Sequence, residues 1–242
     1  MKQLFARTPV MMDQPYCLDE SQAHHLFDVL RTSPSETVRL VWNEEVYLAH
    51  PEEKPYLFVF GKEEVRPRLV DVTLCCALIK QDKWEWMLQK AAELGVSKIV
   101  PFSSERTVVM LDQHKEMKKL ERWSTILESA CKQCNRADLV MLEPVQTIST
   151  LQDYKSQVSL TAYEKEGSSH HLANYLCHNP ESLTVVIGPE GGFTDREIEQ
   201  LSDMGFGLCS LGNSILRAET AACYVLSCVE YQTHLKSLEC ES

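Results

Sequence analysis

Residues 1–70 carry a hydrophobic pattern typical of short β-strands. Thr37–Trp42, Val46–His50 and Tyr56–Lys62 are brief, rich in β-branched and aromatic residues, and separated by polar turns. Asp19–Arg31 differs, because apolar residues recur in it at helical spacing and acidic residues stand at its start. The pattern therefore predicts a small β-barrel with one helix.

The pattern changes after the charged, proline-containing segment Glu63–Arg68, so we place a domain boundary between residues 1–68 and 71–242. From there, apolar strands alternate with helices. The predicted strands are Asp71–Lys80, Ser97–Phe102, Leu139–Leu142, Val158–Glu164, Leu183–Ile187 and Gly205–Leu211. The predicted helices are Lys83–Leu94 with Gly95 as its C-terminal cap, Lys115–Cys134, a helix that begins after Thr194, and Ala218–Leu238. This alternation predicts an α/β domain with a mainly parallel sheet and helices on both faces.

The charge balance constrains the kind of partner that the chain can bind. Its 242 residues carry a formal net charge of −11, and both residues 1–70 and residues 71–242 are net acidic. Phosphate contacts need Lys and Arg, so composition alone favours a small-molecule enzyme, and any RNA surface has to be a local patch. The N-terminus lacks the apolar run of a signal peptide, and no stretch has the length of a membrane span. We therefore expect a cytoplasmic protein without a membrane partner.

The ten cysteines indicate neither a disulfide framework nor a metal centre. Cys131 and Cys134 form one C-x-x-C, but it falls inside a predicted helix, and neither a second C-x-x-C nor a nearby His pair completes a zinc site. Secreted disulfide scaffolds are usually smaller and denser in cysteine than this chain. We expect reduced cysteines that mostly fill space, and no metal.

A glycine-rich turn follows the strand that ends at Ile187. Its sequence, Gly188-Pro-Glu-Gly-Gly192, leads into a helix that Thr194 and Glu197 should start as a capping box. Ligands of parallel sheets sit beyond the carboxyl ends of strands, and glycines let the backbone approach them closely. The turn lacks the lysine of a P-loop and the spacing of a dinucleotide fingerprint, so phosphate binding is a poor interpretation. A tight strand-to-helix connection without a ligand remains the alternative.

A second segment, Leu211–Ala222, has the same strand–loop–helix pattern. Its strand ends at Gly212, and its helix begins near Arg217 and Glu219. We expect the polar groups at this junction to face the same sheet edge as Gly188. The alternative is that Arg217 and Glu219 form a solvated pair at a helix start.

The two segments, Gly-Pro-Glu-Gly-Gly-Phe-Thr and Leu-Gly-x-x-Ile-Leu-Arg-x-Glu-Thr-Ala in this order, resemble the SPOUT methyltransferases. More narrowly they resemble the RsmE family, which methylates N3 of a uridine in small-subunit ribosomal RNA. Residues 24–31, 83–96, 99–102, 104–109 and 128–136 are similar to other parts of that family, so the likeness spans nearly the whole chain. Three features depart from it: residues 32–50 lack the usual glycines, Asn213-Ser214 replaces a proline-containing pair, and the chain is unusually acidic.

The resemblance implies a fold, a cofactor and partners. The fold would be a PUA-like β-barrel at residues 1–68 and, at 71–242, a SPOUT-type α/β domain with a trefoil knot. The cofactor would be S-adenosylmethionine, in a site completed across a homodimer, and the substrate would be ribosomal RNA, within the small subunit. The residues implied to line the cofactor pocket are Tyr163, Gly188, Pro189, Glu190, Gly191, Leu211, Gly212, Ile215, Leu216 and Thr220.

The chemistry of methyl transfer suggests roles for the arginines. A sulfonium is already a good methyl donor, so the enzyme's task is to position the uracil ring and to favour its deprotonated form. A cation near the ring oxygens would stabilise the developing anion. We hypothesise that Arg217 is this catalytic cation, oriented by Glu219 and Thr220. Further arginines that could contact RNA are Arg31, Arg106 and Arg136.

Two other functions compete with this hypothesis. The chain could be a SPOUT methyltransferase that acts on transfer RNA or on a ribose 2′-hydroxyl. It could also be a non-catalytic RNA-binding or ribosome assembly factor that keeps the fold. Both loops are intact, and Arg217 is present, which argues against a loss of activity.

Overall fold

The computed structural model describes residues 1–65, 67–107, 113–166 and 170–240, without the side chains of residues 113 and 236–240. The chain forms two compact units. Unit 1 contains residues 1–67 and 131–139, and unit 2 contains residues 68–130 and 140–242. Among the described residues, no helix combines the length and the apolar character that crossing a bilayer requires.

Unit 1 is built on a five-stranded sheet in the order β1-β3-β4-β5-β2. Its strands are β1 (Lys2–Phe5), β2 (Pro15–Cys17), β3 (Val38–Trp42), β4 (Glu45–Pro51) and β5 (Tyr56–Glu63). β1 and β3 are parallel, and the other neighbours are antiparallel. The three strands predicted here are confirmed within one or two residues. β1 and β2 were not predicted, because each is too short to show a period in the sequence.

The predicted helix of unit 1 is confirmed, with a change of winding. α1 (Glu20–Ala23) begins at Asp19, whose side chain accepts a hydrogen bond from the Gln22 amide, and it continues as a π-helix over His24–Val29. Leu26 on this segment is fully buried in the core of the sheet. Val29 and Leu30, which follow Leu26 at the helical spacing, are exposed, so only Leu26 of this apolar pattern is buried.

A buried arginine ties residues 131–139 to the sheet of unit 1. The Arg39 guanidinium donates to the Gln3 side chain at 2.6 Å, to the Asn135 carbonyl at 2.9 Å, and twice to the Glu63 carboxylate at 2.8 and 3.1 Å. The Gln3 amide in turn donates to the Arg136 carbonyl at 2.7 Å. These contacts explain why residues 131–139, although distant in sequence, belong to unit 1. The predicted boundary placed them in the second domain, residues 71–242.

Unit 2 contains a seven-stranded sheet in which every pair of neighbours is parallel, as the alternating pattern predicted. The order is β12-β10-β11-β6-β7-β8, and β9 also pairs with β7. The strands are β6 (Asp71–Ala77), β7 (Lys98–Ser103), β8 (Met141–Leu142), β9 (Gln146–Thr147), β10 (Val158–Ala162), β11 (Ser182–Ile187) and β12 (Gly207–Cys209).

Helical segments cover both faces of this sheet. They are α2 (Gln81–Glu93), α3 (Gln113–Gln133), a 3₁₀ helix (Ile148–Tyr154), α4 (Ala173–Leu176), α5 (Asp195–Asp203) and α6 (Ala218–Cys240). On one face Val100, Phe102 and Val186 form a core with Ile198 and Leu201 of α5. On the other face α6 packs against β6, β11 and α2. The prediction of helices on both sides is therefore confirmed.

Two predicted helix boundaries are confirmed by their caps. Gly95 follows α2 with φ +85°, a conformation that favours glycine. At the start of α5 the Thr194 hydroxyl accepts from the Glu197 amide at 3.2 Å, while the Glu197 carboxylate accepts from the Thr194 amide at 2.8 Å. These two reciprocal hydrogen bonds are the predicted capping box.

The cysteines whose side chains are described are free thiols. Burial raises the pKa of Cys75 and of Cys209 to about 12, so neither carries appreciable thiolate at neutral pH. These two thiols fill space in the core, as expected for unreactive buried cysteines.

Candidate functional site

The predicted loops meet at one edge of the parallel sheet of unit 2. β12, β10 and β11 are consecutive neighbours in the sheet, so their carboxyl ends lie side by side. The segments that follow these three strands surround a cavity of about 390 Å³. Its lining consists of Lys83, Ala162, Tyr163, Glu164, Ile187, Gly188, Pro189, Glu190, Gly192, Phe193, Leu211, Gly212, Ser214, Ile215, Leu216, Arg217, Ala218 and Ala221. A cavity at this edge matches the position expected for a ligand of a parallel sheet.

The loop after β11 is compact because a glycine and an aromatic ring pack against each other. A Cβ atom at Gly188 would stand only 2.8 Å from the Phe193 ring, so this close approach requires glycine. Gly192 adopts φ +68°, and its amide donates to the Pro189 carbonyl at 2.9 Å, which closes the turn. The result is an exposed backbone edge with a buried aromatic ring behind it.

The loop after β12 is held by Ser210 and by the end of β10. The Gly212 amide donates to the Ser210 hydroxyl at 3.2 Å, and Gly212 adopts φ +127°. The Tyr163 amide donates to the Cys209 carbonyl at 2.9 Å, which joins the segment after β10 to this loop. Farther along the loop, the Ile215 side chain lines the cavity although 83% of its surface is exposed.

A lysine and two carboxylates form an ionic cluster beside the cavity. The Lys83 ammonium lies 2.6 Å from Glu190 Oε1 and 3.9 Å from Glu219 Oε1. The hydrogen bond with Glu190, together with the charge of Glu219, raises the pKa of Lys83, so its ammonium stays charged. Glu219 is only 9% exposed, and within the described part of the chain its Oε2 atom has no hydrogen-bond partner.

Arg217 lines the cavity with an exposed side chain. The positive charge of Arg217 lowers the pKa of Lys83, but by less than the Glu190 and Glu219 carboxylates raise it. Lys83 rather than Arg217 is the cation beside the Glu219 carboxylate. Among the described residues, the Arg217 guanidinium forms no hydrogen bond with Glu190 or Glu219, the two carboxylates of the ionic cluster.

Arg106 supports the loop after β11 from outside the cavity. Its guanidinium donates to the Gly191 carbonyl at 2.9 Å and to the Phe193 carbonyl at 3.3 Å. The neighbouring Glu105 amide donates to the buried Glu197 carboxylate at 2.8 Å. The segment after β7 is thus bonded both to the glycine loop and to the capping box behind it.

The structure brings most of the predicted cofactor residues together. Those that line the cavity are Tyr163, Gly188, Pro189, Glu190, Leu211, Gly212, Ile215 and Leu216. Gly191 and Thr220 are not among the lining residues. Gly191 faces Arg106, since a Cβ there would lie 3.3 Å from Arg106 Cβ, and Thr220 is exposed in the first turn of α6.

Several lining residues were not predicted from the sequence, among them Lys83, Glu164 and Phe193. Phe193 belongs to the quoted Gly-Pro-Glu-Gly-Gly-Phe-Thr motif, so its position directly after the glycines was an available signal. Lys83 begins the family-like stretch 83–96, but its contact with Glu190 had no signal, because 107 residues separate the two and only the packing of α2 brings them together.

Arg31 and Arg136, two of the arginines predicted to contact RNA, belong to unit 1. Arg31 is exposed and has φ +46°. Arg136 forms a two-point ion pair with Asp138, with distances of 3.1 Å to Oδ1 and 2.7 Å to Oδ2, and only 10% of its side chain is exposed. The Arg136 guanidinium is therefore already engaged within unit 1.

Sequence comparison assigns the chain to a family. A family model described as an RNA methyltransferase domain matches residues 66–230. The ribosomal RNA small subunit methyltransferase E of Bacillus subtilis is 32% identical over 233 residues, covering 91% of each chain. The protein of the same name from Rickettsia conorii is 29% identical and covers 92% of this chain and 90% of its own.

Solved structures agree with the sequence matches. A ribosomal RNA small subunit methyltransferase E from Neisseria gonorrhoeae, bound to S-adenosylmethionine, superposes with a TM-score of 0.86 at 26% identity, covering 96% of this chain and 97% of that one. A Legionella pneumophila methyltransferase in complex with the same cofactor gives a TM-score of 0.85 at 29% identity, covering 95% and 96%. The fold is thus that of an RNA methyltransferase. The chain belongs to the ribosomal RNA small subunit methyltransferase E family.

Proposed function

We propose that this protein transfers a methyl group from S-adenosylmethionine to N3 of a specific uridine in the 16S ribosomal RNA of the small subunit. The observation that carries the proposal is the cavity of unit 2, which the two glycine loops and the end of β10 build at one sheet edge. The names of the relatives supply the substrate class, and the resemblance to the RsmE family supplies the atom that is methylated.

The residues present at the cavity fit this cofactor. Its volume of about 390 Å³ lies in the range of small-molecule sites. Ile187, Phe193 and Leu216 provide apolar walls, and the carboxylates of Glu164 and Glu190 provide negative charge. Exposed backbone groups of the glycine loops suit the polar edge of an adenine, and the carboxylates suit a cationic sulfonium compound. When bound, S-adenosylmethionine supplies an activated methyl group whose transfer leaves an electron pair on sulfur.

The chain's own residues have three tasks in this reaction. Gly188, Gly212 and their neighbours hold the cofactor so that its methyl group faces the base, which is a positioning task. Arg217, at the cavity wall, stabilises the negative charge that develops on the uracil oxygens when N3 loses its proton. Glu219 and Thr220 lie in the first turn of α6, directly after Arg217, and Glu219 faces the Lys83 ammonium there. Gly191 contributes through its carbonyl, which Arg106 holds.

We also propose the architecture that accompanies this function in the family. Residues 1–68 would form a PUA-like barrel that binds RNA, and residues 71–242 a SPOUT domain whose loops after β11 and β12 belong to a trefoil knot. A second copy of the chain would complete the site as a homodimer, without a metal. Arg31, which is exposed, would contribute to the RNA-binding surface, whereas Arg106 and Arg136, named with it from the sequence, would act through the contacts that already hold them, with the loop after β11 and with Asp138. The protein would act in the cytoplasm, where ribosomal RNA is assembled.

Mass spectrometry of ribosomal RNA nucleosides, with and without the gene, tests the proposed function. Loss of N3-methyluridine from small-subunit RNA, and its return when the wild-type gene but not the Arg217→Ala variant is restored, is the expected result. If N3-methyluridine is unchanged without the gene, the assignment of the base atom is wrong. Calorimetry with S-adenosylmethionine then separates a methyltransferase of other specificity from a non-catalytic factor, which would not bind the cofactor.

A further inference from the structure

We propose that Lys83 is a positioning residue of the cofactor cavity, which ties the glycine loop after β11 to the start of α6. The inference rests on the proposed function in one respect, namely that the cavity binds S-adenosylmethionine. Lys83 lies outside the two glycine-loop segments, at the start of the stretch 83–96. Its role follows from three observations: where it is anchored, what it contacts, and what its removal would leave behind.

Lys83 is anchored in the rigid first turn of α2. Its neighbour Trp84 is 1% exposed and lies against Trp123, with ring centroids 5.2 Å apart. Met87 and Leu88, one turn later, are also buried. The backbone of Lys83 is therefore fixed by the core of unit 2, and its side chain extends from a stable base toward the cavity.

The ammonium of Lys83 joins two elements that are remote in sequence. It lies 2.6 Å from Glu190 in the loop after β11, and 3.9 Å from Glu219 in the first turn of α6. Glu190 and Leu216 line the same cavity from its two sides, and Arg217 lies two residues before Glu219. One lysine thus spans both loops and sets the distance between them.

Removing the lysine would leave two carboxylates without their shared cation. Glu219 is nearly buried, and its Oε2 atom already has no hydrogen-bond partner among the described residues. A buried carboxylate that loses its counter-charge is costly, and like charges that face each other repel. The glycine loop and the start of α6 should then move apart, since the cation no longer holds their carboxylates together.

Calorimetry on the full-length protein tests this role with two ligands, S-adenosylmethionine and S-adenosylhomocysteine. We expect Lys83→Met to weaken both by about fivefold, the upper range for a partly exposed ion pair, and Lys83→Arg to restore most of the affinity. The matched control is Lys90→Met, on the same helix, which removes a 2.7 Å pair with Glu93 away from the cavity and should not alter binding.

A double-mutant cycle separates positioning from a general charge effect. In the cycle the effects of Lys83→Met and Glu190→Gln should be less than additive, because both remove the Lys83–Glu190 contact and only the longer Lys83–Glu219 contact is left for the second change to remove. Affinities of Lys83→Met equal to those of Lys90→Met would overturn the proposal. Tighter binding of the cationic cofactor alone would overturn it as well, because it would mean that Lys83 only repels the sulfonium.

Hydrogen exchange of the protein without ligand makes the test independent of the cofactor. The amides of Gly192 and Ala221 donate to backbone carbonyls within the loop and within the first turn of α6. We expect both to exchange faster in Lys83→Met than in Lys90→Met. If the wild type does not bind S-adenosylmethionine but this difference is present, the proposed cofactor fails and the positioning role stands. Unchanged exchange refutes the positioning role.

Discussion

Replacing Gly188 with alanine tests the packing that shapes the cavity. The backbone at Gly188 lies outside the left-handed region, so alanine can adopt its conformation, and the effect has to come from the added methyl group. That Cβ would lie 2.8, 3.0 and 3.2 Å from three carbons of the Phe193 ring. Ordinary carbon contacts are about 3.5–4.0 Å, so the nearest ring carbon has to move by about 0.7–1.2 Å.

The ring has little room to move. Phe193 is 7% exposed and stacks in parallel with Phe102, with centroids 6.4 Å apart. Phe102 is itself fully buried between strand and helix. Overpacking of a filled core costs about 1–3 kcal/mol, and we expect Gly188→Ala to lower the free energy of unfolding by about 2 kcal/mol. Because Phe193 also lines the cavity, affinity for S-adenosylmethionine should fall too.

Urea denaturation measures the loss of stability, with tryptophan fluorescence as the probe because buried Trp84 and Trp123 belong to the same unit. The control is Gly207→Ala in the same unit, whose Cβ would lie 3.4 Å from its nearest neighbour, Leu160 Cδ2, and should cost little. Phe193→Leu places a smaller side chain beside residue 188. In a Phe193→Leu protein, Gly188→Ala should therefore lower the free energy of unfolding by less than it does in the wild type. A Gly188→Ala protein within about 0.5 kcal/mol of wild type would refute the packing argument.

The remaining predictions concern four other side chains. Arg217→Ala should lower kcat on small-subunit ribosomal RNA by about 100-fold with little change in cofactor affinity, because the guanidinium acts on charge that develops in the transition state. Arg106→Met should weaken cofactor binding about fivefold in calorimetry, since the Gly191 carbonyl loses its donor at 2.9 Å. Thr194→Ala should cost about 1 kcal/mol in urea unfolding, because it removes one half of the capping box. The raised pKa of buried Cys209 makes the free energy of unfolding fall as pH rises from about 9 toward 12, because only the unfolded thiol ionises there, and Cys209→Ala should flatten this slope.

Each of these predictions has a control and a contrary result. Arg196→Ala on α5, away from the cavity lining, should keep normal kcat, and near-normal kcat in Arg217→Ala would exclude the catalytic role. Arg106→Lys keeps the charge and should bind better than Arg106→Met, and equal affinities would mean that the loop does not need this donor. Thr194→Ser keeps the hydroxyl and should be as stable as wild type. A slope above pH 9 that is the same with and without Cys209 would assign it to other groups.

Local signals predicted the parts of the fold that depend on neighbouring residues. The capping box of Thr194 and Glu197 and the positive φ of Gly95 involve only a few consecutive residues, so their geometry follows from residue type. Alternating strands and helices predicted the parallel sheet, because a parallel connection requires a crossover long enough for a helix. The strands β1 and β2 escaped prediction because three or four residues carry no reliable period.

The candidate site likewise has features that the sequence predicts and contacts that only the structure shows. The sequence by itself determined which two loops line the cavity, because the glycines and Arg217 stand in two continuous segments after strands. Only the tertiary structure decided that Lys83 joins Glu190 to Glu219, that Arg106 holds the Gly191 carbonyl, and that residues 131–139 belong with unit 1. These contacts depend on how helices pack on the sheet, and they link residues far apart in the chain. No local period or motif in the sequence specifies which distant residues will meet.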